Sequence, residues 1–164
     1  MKIKLFIILT ILIFAVSCSK NSATNPTSKS YLDNSVSKKL ENYGDSVVKN
    51  NIPIDDGSVE YHGIGKYVIK SLDDAITTNP ENAEIYVDIY KDKKEAVIYI
   101  PNRFIFSNLI SVSGKIDSQI NDDKGTYILS MTVGDNAITD FSFTIRGNNE
   151  KYYITAVRLD KTKW

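Results

Sequence analysis

The chain of 164 residues contains one cysteine, one histidine, one tryptophan and four prolines, and its 20 basic residues are balanced by 20 acidic ones. A lone cysteine rules out an intrachain disulfide. One histidine and one cysteine fall short of the several such side chains that a zinc or other transition-metal site recruits. Basic and acidic residues are interspersed along the chain, which argues against a dedicated nucleic-acid binder with its basic stripe, so no nucleic-acid partner is expected. The longest apolar run, LFIILTILIF at 5–14, is well short of the about 20 apolar residues that a membrane-spanning helix needs.

Catalytic signatures are equally scarce. No serine sits in a G-x-S-x-G elbow. The glycines of HGIGK at 62–66 lack the third glycine and the following βαβ unit of a dinucleotide loop. The acidic turns at 55–57 and 121–125 do not match the twelve-residue calcium loop. His62 is the one side chain with an ordinary pKa near neutrality. It would act as a base only if the fold sets it in a pocket beside a carboxylate such as Glu60 or Asp88. No cofactor is implied, and the expectation is a protein that is not an enzyme.

The first twenty residues are the most informative. Lys2 and Lys4 form a positive n-region, Leu5–Phe14 an apolar core, and Ala15-Val16-Ser17 lead into Cys18. This pattern resembles a bacterial lipoprotein precursor, although Ala15 stands where leucine is usual. The resemblance covers residues 1–18 and implies cleavage before Cys18, whose thiol takes a diacylglycerol and whose new amino group is acylated. Cys18 would then be a lipid attachment site, with the bilayer as its partner and the bacterial cell envelope as its location. Ser19 after the cysteine resembles the outer-membrane sorting signal of enteric-type bacteria. An ordinary secretory signal cut near Ser17, or an uncleaved helix, with Cys18 incidental, is the alternative. A thiol capped by lipid would also escape oxidation in an oxidising envelope.

Three segments follow from this reading: a signal peptide at 1–17, the lipidated cysteine and a tether at 18–30, and one globular domain at 31–164. Removal of 1–17 leaves 18 basic and 20 acidic residues, a net charge of −2. The tether, SKNSATNPTSKS at 19–30, has no apolar residue larger than alanine. Its r.m.s. reach is about 20 Å.

The expected fold class is α+β. Leu32, Val36, Leu40, Tyr43 and Val47 form a stripe of helical period, predicting a helix over about 31–49. Ser71-Leu72-Asp73-Asp74 opens a second, short helix ending before Pro80. The segment 58–69 reads as a short strand or irregular, because two glycines interrupt its β-branched and aromatic residues. From Glu84 onward strands follow one another. EIYVDIYK (84–91) and KEAVIYI (94–100) pair so that Val87 faces Ile98 and Ile89 faces Ala96 on an apolar side. TYILSMTV (126–133) and AITDFSFTIR (137–146) form a second hairpin, with a three-residue loop setting Leu129 against Phe141 and Tyr127 against Phe143. The last strand, 151–161, is apolar on both sides, as a central strand would be. Helices packed on a twisted antiparallel sheet of five or six strands broadly resemble cystatin-like or NTF2-like cones. A calycin-like β-barrel is the alternative.

Ten tyrosines are present, and Tyr86, Tyr90 and Tyr99 fall opposite the expected core side. These three form a candidate binding face for a protein or glycan, since aromatic rings offer apolar area at small entropic cost. Burial under the N-terminal helix, or simple cross-strand pairing, is the competing reading. The functional expectation is a membrane-anchored, non-enzymatic module binding an envelope protein, a glycan or a small apolar ligand. A structural lipoprotein without a ligand site is the alternative, and a His62-dependent hydrolase or isomerase stands further back.

Overall fold

The computed structural model describes residues 40, 42–46 and 57–162. Signal peptide, Cys18, tether and most of the expected first helix lie outside them. The described residues form one antiparallel sheet of nine strands: β1 (Val59–Ser71), β2 (Glu81–Tyr90), β3 (Glu95–Ile100), β4 (Asn102–Phe106), β5 (Ser111–Val112), β6 (Lys115–Asn121), β7 (Thr126–Val133), β8 (Ala137–Arg146) and β9 (Glu150–Lys161). Their order is β4-β3-β2-β1-β9-β8-β7-β6-β5. The α+β expectation, with its cystatin-like or NTF2-like cone, is therefore overturned: the described fold is all-β, with nine strands rather than five or six.

The helix expected after Ser71 is a β-turn. Asp74 N–H donates to Ser71 O at 3.0 Å, and Thr77 N–H donates to Ile69 O at 2.9 Å, so residues 75–77 fold back along β1. Serine and aspartate satisfy turns as readily as helix starts, and here the apolar residues that follow have nothing to bury. Leu72 is 44% and Ile76 65% exposed. Of the first expected helix, Leu40 has helical backbone. The chain has left that conformation by Gly44, whose φ is +66°, and Asp45 bridges to Arg103 of β4.

Strand β1 is long despite its glycines because two neighbours come too close for side chains. A Cβ on Gly65 would lie 2.5 Å from both the Ile85 side chain and the Thr155 carbonyl oxygen. The register of β1 against β9 also slips between His62 and Lys66, and such bulges bend a sheet. The β2–β3 register is as the apolar alternation predicts, with Val87 opposite Ile98 and Tyr86 opposite Tyr99. The β7–β8 strand limits also agree, but the pairing does not: Leu129 faces Phe143 and Tyr127 faces Ile145. Two one-residue slips cause this: the turn sets Val133 opposite Ile138 rather than Ala137, and the register shifts again between Ser130 and Thr132, opposite Asp140, which has φ 53°.

One side of the sheet holds the core and curls around it. Phe104 of β4 lies 4.8 Å from Phe143 of β8 and 5.4 Å from Tyr127 of β7, ring centre to ring centre, although these strands are far apart in the sheet order. The sheet is thus a curled half-barrel whose edge strands, β4 and β5, do not pair. It is neither a layered cone nor a closed calycin-like barrel. Leu40 and Tyr43 plug one end: Asn102, itself buried, donates from Nδ2 to Leu40 O at 3.1 Å and to Tyr43 O at 2.7 Å. The Tyr43 ring then packs, tilted by 58°, with its centre 5.2 Å from that of Tyr152.

Candidate functional site

The end of the half-barrel away from this plug is hollow. A cavity of about 640 Å³ opens there, with an apolar floor made by Val59, Ile89, Leu109, Ile116 and Val133. Alternation within four strands aims Val59, Ile89, Ile116 and Val133 inward, and the β4–β5 connection adds Leu109. That connection is fixed on the β2–β3 turn by Leu109 N–H donating to Lys94 O at 2.8 Å. Tyr61 lines the wall, and its hydroxyl donates to Gly134 O at 3.1 Å. Burial, then the nearby charge of Asp135, raises the Tyr61 pKa, so the phenol stays a neutral donor at physiological pH.

The rim is charged. Lys91, Lys94 and Lys161 stand there against Glu95 and Asp135, and Glu95 already accepts from the Ser107 hydroxyl at 3.2 Å. The volume lies in the range of pockets for small molecules, and an apolar floor with few polar groups at the rim is their usual chemistry. Such a site can hold an apolar body inside and leave an anionic end at the lysines.

The sequence-predicted tyrosines divide between two places. Tyr86 and Tyr99 face each other on the outer side of β2 and β3, with Tyr99 4% exposed. Tyr90 lines the cavity rim instead, and Lys93 Nζ lies 4.8 Å from its ring centre. His62 stacks on Tyr86 with ring centres 4.2 Å apart and an interplanar angle of 14°. Its Nε2 is 3.1 Å from Glu84 Oε1, which also accepts from the Tyr86 hydroxyl at 2.9 Å. Burial, then the Glu84 hydrogen bond, pushes the Tyr86 pKa up to about 12.

His62 therefore does meet a carboxylate, but it is Glu84 rather than Glu60 or Asp88, and it does not line the hollow end. Proton transfer to a molecule held in the hollow end would need the imidazole within hydrogen-bond reach of that cavity. Among the described residues no group of three or more His, Cys, Asp or Glu is placed to hold a metal ion.

No protein-family model matches this chain, and no curated protein is significantly similar to it. Sequence reasoning missed the hollow-end site because its lining comes from widely separated segments that only the curl assembles. The usable signal was the inward set of β2, whose last member, Ile89, forms part of the floor.

Proposed function

We propose that this chain is a lipid-anchored binding protein of the bacterial cell envelope whose half-barrel holds a small apolar or amphiphilic molecule in its hollow end. The observation that carries this reading is the 640 Å³ cavity with an apolar floor and three lysines at its rim. The pattern leading to Cys18 supports the anchor and the envelope location, with Ser19 pointing to the outer membrane. Two or more acyl chains give stable membrane attachment, and the 19–30 tether lets the domain stand off the surface. Catalysis plays no part: the chain presents, stores or hands on its ligand.

The test is displacement of a fluorescent polyene fatty acid by lauric acid, using wild type and Val133→Trp. Wild type should bind the probe, and the indole should fill the floor and abolish binding while circular dichroism stays native. Equal binding by both proteins, or none by wild type, would refute the assignment. Intact mass and detergent partitioning, compared with Cys18→Ala, test the anchor separately.

A further inference from the structure

A second site lies on the outer face of the sheet, away from the hollow end. Lys70 of β1 pairs directly with Lys151 of β9, and Lys151 pairs directly with Arg146 of β8. Three cations thus form a row across three strands, spanning about 10 Å at the usual strand spacing. Like charges directly opposite one another destabilise a sheet. One carboxylate answers the row by hydrogen bond: Asp74, reached by Lys151 Nζ at 3.0 Å. Asp73, in the same turn, is turned to the Ser71 hydroxyl. No described residue hydrogen-bonds or ion-pairs with the Arg146 guanidinium, and Lys70 is engaged by the Tyr153 ring, 4.5 Å from its centre.

The next two cross-strand rows complete a surface. Val68, Tyr153, Thr144 and Ile128 are successive partners in one row, and Thr155, Ser142 and Ser130 in the following one. A groove of about 300 Å³ runs over the first two rows, lined by the three cations, Asp74, Tyr153, Thr144 and Ile128. Cations, then an aromatic and aliphatic strip, then hydroxyls complement, in the same order, what an acidic sugar presents: carboxylate, apolar ring face and hydroxyl edge.

We propose that this outer groove binds an acidic saccharide, with carboxylates on the Lys70–Lys151–Arg146 row and a pyranose ring over Tyr153. The site is independent of the hollow end, so either can fail without the other. Repulsion within the row is the cost that the bound anions relieve.

The experiment is calorimetric titration of the full chain in nonionic detergent with tetragalacturonate, its neutral methyl ester, and sodium sulfate. Binding of tetragalacturonate alone, weakened at least tenfold in Arg146→Gln and Lys70→Gln and also in Tyr153→Ala, supports the proposal. The two charge variants should melt no lower than wild type at low salt, because each removes repulsion. Three outcomes overturn it: no binding, equal affinity for sulfate (an ion site without sugar recognition), or charge variants that melt lower and still bind.

Discussion

The curl of the sheet rests on rings that meet across its interior, and a double-mutant cycle on Phe104 and Phe143 tests this directly. Both are buried, at 3% and 0% exposure, and their ring centres are 4.8 Å apart with an interplanar angle of 59°. They belong to β4 and β8, which share no hydrogen-bonded border, so their contact exists only if the sheet closes on itself. Replacing either by leucine keeps an apolar filler but removes ring area, which should cost on the order of 1–2 kcal/mol. Aromatic pairs contribute about 0.5–1.5 kcal/mol beyond area burial. The cycle should therefore return a coupling of about 1 kcal/mol in urea denaturation at unchanged m-value. Sites out of contact add to within about 0.3–0.5 kcal/mol. A coupling below about 0.3 kcal/mol would mean that β4 does not reach β8, and the half-barrel would be wrong.

Further expectations concern single features. Gly65→Ala drives a methyl into Ile85 and the Thr155 carbonyl, so chemical denaturation should show a loss of about 1–3 kcal/mol; a loss under 0.5 kcal/mol would contradict that packing. Asn102→Ala leaves the Leu40 and Tyr43 carbonyls without their donor, and should cost about 1–3 kcal/mol, with faster exchange at the Asp45 and Arg103 amides that bridge the plug to β4. Burial, then the Glu84 hydrogen bond, pushes the Tyr86 pKa from its ordinary 10.0 up to about 12 in the folded chain. Its folded pKa is raised, so its contribution to stability is fully present below pH 10 and is lost as pH climbs towards 12. Tyr61, Tyr67, Tyr127 and Tyr152 are raised as well, so absorbance at 295 nm should show several late-titrating tyrosines, one of which Glu84→Gln moves to lower pH; an unchanged titration would break the link to Glu84.

The strands were legible where alternation and loop length agreed. The β2–β3 register could be read because Val87, Ile89, Ala96 and Ile98 admit one pairing that keeps the apolar side whole. In β7–β8 the sides were right from Phe141 to Ile145 and the partners wrong, since nothing in the sequence marks the slip at the turn, which brings Ile138 inward, or the bulge opposite Asp140. The helix expected at Ser71 failed for a different reason. Its start signal is shared with turns, and no apolar stripe followed to decide between them. In the 31–49 stripe, Leu40 and Tyr43 are indeed drawn to the core, yet Gly44 and the bridge at Asp45 show the chain already leaving helical geometry there. Both sites escaped notice for one physical reason: their residues share a wall or a row only across strands that the sequence leaves far apart.

The most direct test of the hollow end is a methyl-resolved NMR titration of the protein with lauric acid. Saturable shifts are expected at the methyls of Val59, Ile89, Leu109, Ile116 and Val133, with the aromatic signals of Tyr86 and Tyr99 unmoved. Shifts confined to Tyr86, Tyr99 and His62, or no saturable shifts at all, would contradict the assignment.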